Sequence, residues 1–183
     1  MNKALGILLF VDSLVLLAGA MIGPIYALFV DKIGGDLLTA SITFAVFSIV
    51  SGIATFLIGK FEDLMKEQEL ALGGGYFLSG LAYIGYLLVQ SPFHLFLTQV
   101  LLGIGTALLK PAFDALMSKH LDQNRAASQW GAWESMNSVT LGIGAVIGGI
   151  IVINFGFPTL FVTMATLCFT SALFIFLMPR RVL

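Results

Sequence analysis

Four ionisable side chains lie within stretches that are otherwise apolar enough to enter a membrane: Asp12, Lys110, Asp114 and Glu134. A charge at the centre of a bilayer costs about 3 kcal/mol or more, so these groups should face protein or a water-filled cavity. Lys110 and Asp114 are four residues apart and can pair on one helix face. A local ion pair that stabilises the helix and a role in binding a proton or a solute both stay open.

The stretch 97–118 carries its charges on one side. At about 3.6 residues per turn, one stripe of a helix contains its small and polar residues, while most Leu, Val and Phe residues fall elsewhere. The stripe consists of Gln99, Gly103, Thr106, Lys110 and Asp114. This pattern predicts a helix that forms the inner wall of a cavity, with the rest of the chain around it.

The other two acids differ in their surroundings. Asp12 lies about two turns into the first apolar stretch with no partner nearby in sequence. Either it pairs with Lys110 across the cavity or the loss of water favours its neutral form, in which case it can carry a proton. Glu134 follows Trp130 and Trp133, which indicates an acid at the start of a helix near the membrane interface. A coupling role for Glu134 is the alternative.

The composition is that of an integral membrane protein. Of 183 residues, 58% are hydrophobic and 10% are charged, with a mean hydropathy of +1.01, whereas water-soluble domains carry about 25% charged residues. The net charge of −1 gives no reason to expect a nucleic-acid partner. No Ser-His, Cys-His or metal-ligand constellation lies in the apolar stretches, so we expect neither an enzyme nor a cofactor.

Six apolar stretches, each of about 20 residues, are long enough to cross the hydrocarbon core. They predict an all-α membrane protein with a single domain over 1–183 and helices at about 5–30, 38–59, 70–90, 93–117, 131–154 and 158–178. A polar connection at 118–129 separates the fourth helix from the fifth. If the helices alternate, one side receives Lys3, Lys60, Lys66, Lys119, Arg125, Arg180 and Arg181, and the other receives Lys32. Both termini should therefore be cytoplasmic.

The second and fifth predicted helices each have one face of small residues. These faces contain Ser41, Ala45, Ser48, Gly52, Thr55 and Gly59 in one helix, and Ser135, Ser138, Gly142, Ala145 and Gly149 in the other. Small residues let membrane helices approach closely. The faces could pack inside a six-helix bundle or against a second subunit.

Several local patterns together resemble the N-terminal half of a major facilitator superfamily transporter. The matching patterns are Gly23-Pro24-Ile25-Tyr26 in the first helix, Gly59 and Asp63 between the second and third, Gln99, Gly103-Ile104-Gly105 and Pro111-Ala112 in the fourth, and 144–149 (GAVIGG) in the fifth. Their order and spacing follow the family over nearly the whole chain.

The sequence also departs from the family patterns. In the loop signature, Leu64, Lys66 and Glu67-Gln68 replace a basic residue, a glycine and a basic pair. Gln99 stands where an arginine is usual, and Ala145 replaces the proline of the antiporter pattern. In the family, the loop signature belongs to a cytoplasmic charge network, the arginine to a proton relay and the proline to the antiporter pattern. Each of these three features is altered in this chain.

The resemblance implies one six-helix half of a twelve-helix fold. In the family the two halves are parallel repeats, so two copies of this chain could take both places. The second and fifth helices meet across the halves in the family. The dimer interface would then include Ser48, Gly52, Gly142, Ala145 and Gly149, with Gly59 and Asp63 in a gating loop.

The resemblance further implies alternating access in a plasma membrane or bacterial inner membrane, with a small-molecule substrate and the lipid bilayer as partners. Proton coupling and substrate binding would use Asp12, Lys110, Asp114, Glu134, Gln99 and Tyr26. Acids and aromatic side chains would suit a lipophilic cation or another amphipathic molecule. The clean ending at Pro179-Arg180-Arg181 favours a complete half. A non-transporting subunit, a heteromeric half, a truncated remnant and a passive pore remain as alternatives.

Overall fold

The computed structural model describes residues 3–62 and 67–178, and every regular element in these two ranges is helical. The elements are α1 (Lys3–Ile22), a 3-10 turn (Gly23–Ile25), α2 (Tyr26–Lys32), α3 (Leu37–Glu62), α4 (Gln68–Leu87), α5 (Pro92–His120), a second 3-10 turn (Gln123–Arg125) and α6 (Ala126–Leu177). Five helical stretches within this part of the chain are long and apolar enough to cross a membrane. The protein is a multi-pass, all-helical membrane protein.

The first predicted helix contains a local change of geometry. Pro24 lies in the 3-10 turn between α1 and α2, because proline has no N–H for the α-helical hydrogen bond and its ring crowds the preceding turn. Apolar sequence continues through the turn, so Ala4–Lys32 is one candidate span. The turn places Tyr26 at the start of α2.

Capping residues explain where two of the other helices begin. The Asp36 carboxylate accepts hydrogen bonds from the Thr39 amide at 2.7 Å and the Thr39 hydroxyl at 2.6 Å, which satisfies a free donor at the start of α3. Pro92 begins α5 at a position where its missing N–H costs nothing.

The prediction of a long polar connection at 118–129 is wrong. The helix α5 continues to His120, and α6 begins at Ala126 after the short turn Gln123–Arg125. Residues 126–129 (AASQ) begin with two alanines, the strongest helix former, so they extend α6 towards its N-terminus.

The fifth and sixth predicted helices are joined in α6, which has 52 residues and one internal break. Gly156 has φ 81° and ψ 172°, outside the helical region, and Pro158 follows two residues later. Glycine tolerates the positive φ because it has no Cβ. The two parts of α6 on either side of Gly156 are therefore separate helical rods without a loop between them.

Glycines bring several helices into backbone contact. A Cβ on Gly148 would overlap the Met21 carbonyl oxygen, so α6 lies directly on the α1 backbone. A Cβ on Gly75 would lie 2.7 Å from Leu109 and 2.8 Å from the Gly105 carbonyl oxygen, which sets the approach of α4 to α5. Such contacts replace side-chain layers with direct van der Waals packing between backbones.

The helix α3 is covered far less than its neighbours. Only 6% of its most apolar 18-residue window is buried, against 56% for α4. It packs mainly on α5, where a Cβ on Gly103 would meet the Phe47 carbonyl oxygen at 3.0 Å. Large apolar side chains on the rest of its surface, including Phe44, Ile49, Ile53 and Phe56, are exposed. Most of α3 thus has no protein partner among the described residues.

Candidate functional site

Asp12 is buried in the middle of the helix bundle, with 4% of its surface exposed. Its two carboxylate oxygens accept hydrogen bonds from different helices. The Tyr76 hydroxyl of α4 donates at 3.0 Å, and the Trp133 indole N–H of α6 donates at 3.3 Å. The carboxyl group therefore links three helices through neutral donors.

Lys110 and Asp114 form the ion pair that their spacing predicts, with the ammonium nitrogen 3.9 Å from a carboxylate oxygen. Their side chains are 58% and 43% exposed, so the pair lies at the surface of this single chain. The Lys110 ammonium also lies 5.8 Å from the centre of the Trp133 ring. We call Asp12, Tyr76, Lys110, Asp114 and Trp133 the charged cluster.

Of the two alternatives for Asp12, an ion pair with Lys110 is not seen, because Lys110 pairs with Asp114. The indole of Trp133 contacts both groups, giving its N–H to the carboxylate and a ring face to the ammonium. The carboxylate is thus held by two hydrogen bonds and, among the described residues, by no ion pair. The burial of Asp12 agrees with the alternative that it is held away from water.

Glu134 is not part of this cluster. Its side chain is exposed, and it lies eight residues beyond the start of α6 at Ala126. The interpretation of Glu134 as a helix-start acid is therefore wrong, because the helix begins earlier than its apolar pattern indicates. A coupling role for Glu134 stays a prediction.

Tyr26 and Gln99 meet in a second polar site, at the ends of the bundle helices remote from the charged cluster. The Gln99 amide nitrogen lies 2.5 Å from the Tyr26 hydroxyl, which lies 2.7 Å from the Thr43 hydroxyl. Thr43 in turn donates to the Thr39 carbonyl at 2.8 Å. Three helices, α2, α3 and α5, are joined by this chain of uncharged groups.

Tyr26 and Gln99 border a cavity of about 220 Å³ between the helices. Its wall is largely aromatic, with Tyr26, Phe44, Phe47, Tyr83 and Tyr86 around the Gln99 amide. Gly19 of α1 and Gly23 of the 3-10 turn line one side without side chains. We call this space the aromatic cavity.

The polar stripe of α5 is thus divided between two environments. Gln99 and Gly103 are buried against neighbouring helices, whereas Lys110 is largely exposed. Thr106 donates its hydroxyl to the Leu102 carbonyl of its own helix at 3.0 Å. The stripe is not one continuous cavity wall.

The predicted interface residues lie on open surface. Ser48, Gly52 and Gly142 are exposed, Ala145 and Gly149 are partly exposed, and a Cβ on any of these three glycines would meet no atom within 4 Å. By contrast, Gly144 and Gly148 are buried against α1. Of the predicted gating residues, Gly59 lies in the last turns of α3 with open space around it, and Asp63 lies outside the described residues.

Tyr76, Trp133 and Thr43 were not among the site residues predicted from the sequence. A tyrosine or tryptophan inside a membrane helix needs a hydrogen-bond partner for its polar group. That requirement is the signal that could have pointed to Tyr76 and Trp133 as partners of Asp12.

Comparison with known sequences identifies a protein family for this chain. The sequence model of the Major Facilitator Superfamily matches residues 8–182. A protein named multidrug resistance protein MdtG from Dickeya zeae is 26% identical over 185 residues, covering 98% of this chain and 45% of its own length. Proteins of the same name from Erwinia billingiae and Enterobacter lignolyticus are 25% and 26% identical, covering 98% and 94% of this chain. The chain spans less than half the length of these relatives, 45% and 42% of the latter two.

The match of the family model to nearly all of the sequence, together with the apolar helices and the helix packing described above, shows that this chain belongs to the Major Facilitator Superfamily of membrane transporters.

Proposed function

We propose that this transporter-family protein works as a homodimer of six-helix halves, moving a small amphipathic molecule by alternating access with proton coupling. The membrane would be a bacterial inner membrane or another plasma membrane. The names of the relatives, which refer to multidrug resistance, support a drug-like substrate. The acids and aromatic groups predicted a lipophilic cation or another amphipathic molecule, and the choice between them stays a prediction.

Six spans and cytoplasmic termini are part of this proposal, with residues 1–183 as one domain. A straight helix of 52 residues would be about 78 Å long, more than twice the roughly 30 Å hydrocarbon core. The break at Gly156 supports two crossings by α6. The distribution of Lys and Arg residues supports the orientation.

The observation that carries the proposal is the open surface formed by α3 and the first part of α6. Both carry small residues with no protein contact, and both have bulky apolar neighbours such as Ile53 and Val146. Close packing of small residues is a main source of helix association in lipid. A second copy related by a twofold axis along the membrane normal would place α3 of one chain against α6 of the other.

Asp12 supports proton coupling. Its carboxylate is held by two neutral donors, Tyr76 and Trp133, and by no cation within ion-pair distance among the described residues. Adding or removing a proton there changes the charge of the bundle interior by one unit. Such a change can favour one of two conformations, as coupling requires.

The subunit count tests the proposal. In nanodiscs, native mass spectrometry should find two copies of the wild-type chain, and the double variant Gly52→Leu/Gly142→Leu should be monomeric. Gly74→Leu is the matched control, because Gly74 of α4 also has open space around it but lies on another helix. A wild-type monomer in lipid, or a dimer that survives the double variant, contradicts the proposal.

A partner of different sequence would use the same open surface. The short coverage of the relatives, 45% of the first, makes a heteromeric half the second candidate. Capture of a second, unrelated six-helix chain by α3 and α6 in place of self-association would favour it.

A further inference from the structure

The aromatic cavity is formed by uncharged residues. All ten lining residues are described, and none of them is Asp, Glu, Lys, Arg or His. Its volume of about 220 Å³ exceeds the roughly 150 Å³ in which an apolar cavity can hold benzene. The cavity is therefore large enough for a small planar ring system and is walled by aromatic side chains that can pack on it.

One hydrogen bond beside the cavity orients the Gln99 amide. The hydroxyls of Tyr26 and Thr43 are 2.7 Å apart, and either can be the donor between them. The Gln99 amide nitrogen donates to the Tyr26 hydroxyl, so the nitrogen of Gln99 faces Tyr26. The Gln99 carbonyl oxygen is left with no hydrogen-bond partner among the described residues.

This oxygen is the acceptor that a ligand can use. Gln99 itself is 3% exposed and borders the cavity, so little of its surface is accessible. An unpaired polar group in such a setting is unfavourable, and a ligand N–H or O–H would satisfy it.

The wall of this cavity offers no charged group to an ion. Lys110 follows Gln99 by 11 residues in α5, about 16 Å along the helix. Asp12 precedes Tyr26 by 14 residues, about 20 Å along the chain axis. Asp31 and Lys32 are closer, five and six residues after Tyr26 in α2, but neither borders the cavity. A charged ligand would therefore lose its hydration without meeting a counter-ion in the cavity wall.

We propose that the aromatic cavity binds a neutral, planar aromatic molecule that carries one N–H or O–H donor, with the Gln99 carbonyl oxygen as its acceptor and the surrounding rings as its walls. This inference assigns the ligand class of the transport site and so rests on the proposed function for its physiological role. Binding itself does not require transport.

The test compares two probes that differ in one donor. Wild-type protein in nanodiscs is titrated with 5-fluoroindole and with 5-fluoro-1-methylindole, and binding is followed by fluorine NMR against empty nanodiscs. We expect saturable binding of 5-fluoroindole and about tenfold weaker binding of the methylated probe. Equal affinities, or no saturable binding of 5-fluoroindole, would overturn the assignment. So would tighter binding of the cation 1-methylquinolinium or of the anion benzoate.

Variants locate the site. Gln99→Leu should weaken 5-fluoroindole about tenfold and leave the methylated probe unchanged, which a loss of folding would not do. Gly19→Leu should weaken both probes, because the new side chain enters the cavity. Gln90→Leu is the matched control, since Gln90 is exposed and does not line this cavity. An unchanged 5-fluoroindole affinity in Gln99→Leu contradicts the proposal.

Failure of this ligand assignment can be distinguished from failure of the proposed homodimer. If the monomeric Gly52→Leu/Gly142→Leu variant binds 5-fluoroindole selectively and the wild-type chain does not dimerise, only the homodimer proposal fails. If the wild-type chain forms a dimer that binds neither indole probe saturably, only the ligand assignment fails.

Discussion

The charged cluster and the aromatic cavity lie in the same bundle but are built on opposite principles. In the charged cluster, a buried carboxylate is held by Tyr76 and Trp133, and an ion pair lies beside it. In the aromatic cavity, the polar groups are neutral and one acceptor, the Gln99 carbonyl oxygen, has no hydrogen-bond partner among the described residues. The first site is satisfied by its own residues, whereas the second is completed only by a ligand.

This contrast separates two tasks that a coupled transporter must perform. A carboxylate whose hydrogen-bond partners all belong to the protein can gain or lose a proton without a ligand. A site with an unpaired acceptor can instead select a solute. The helices α1 and α5 each pass through both sites, so a change at one site can reach the other through packed helices.

Removing the Asp12 side chain should produce the largest effect on stability. The Asp12→Ala variant leaves the Tyr76 hydroxyl and the Trp133 N–H unpaired in a buried setting, and we expect a loss of about 3 kcal/mol in unfolding free energy. Denaturation in mixed detergent micelles measures it. The Asp31→Ala variant, at an exposed position in α2, is the control. A loss no larger than that of Gln99→Ala would remove the contrast between the two sites.

Proton release on ligand binding tests whether the charged cluster and the aromatic cavity are coupled. On addition of 5-fluoroindole to weakly buffered protein, we expect the wild-type chain to release protons and Asp12→Asn to release at least tenfold fewer. Because a ligand that displaces a proton binds the deprotonated form more tightly, Asp12→Asn should also bind 5-fluoroindole more weakly. The asparagine side chain of this variant cannot ionise but has a shape similar to that of aspartate. If Asp12→Asn releases protons as the wild type does, the carboxyl group that couples lies elsewhere, with Glu134 the next to test.

Trp133→Phe should have an intermediate effect. Phenylalanine keeps a ring near Lys110 but removes the N–H that binds Asp12, so we expect about 1 kcal/mol of destabilisation. The same denaturation assay measures it. The effect should vanish in an Asp12→Ala background, because the hydrogen bond is already absent there; additive losses would contradict a direct bond.

The smallest effect is expected at the exposed ion pair. Lys110 and Asp114 are 58% and 43% exposed, and such pairs contribute about 0.5 kcal/mol or less. In the background of the monomeric double variant Gly52→Leu/Gly142→Leu, the change Lys110→Met should therefore lower the unfolding free energy by about 0.5 kcal/mol or less. A loss above about 1 kcal/mol there would place Lys110 in the buried network with Asp12.

The sequence predicted local features well and contacts between distant helices poorly. Spacing within one helix was sufficient for the Lys110–Asp114 pair, which is confirmed. Hydropathy located the apolar helices, although the count of six spans stays a prediction. Helix boundaries at 118–129 were wrong because apolar pattern alone does not show where polar residues continue a helix.

Neither site could be assembled from periodicity. Asp12 bonds to residues 64 and 121 positions away, and only the packing of α1 with α4 and α6 brings them together. Tyr26 and Gln99 were both selected from the sequence, but their hydrogen bond depends on the helix contacts of α2, α3 and α5. Thr43 was missed because a threonine that bonds its own helix has no distinctive spacing.

The glycine contact between α6 and α1 has a mechanical consequence. Gly144 and Gly148 lie directly against the backbone of Ala20 and Met21, so no deformable side chain separates the two rods. A force on the open face of α6 would then displace α1 together with α6, because a close-packed backbone contact compresses little. Because α1 carries Asp12 at its middle and borders the aromatic cavity at its C-terminal end, displacement by a neighbouring subunit would move both sites together.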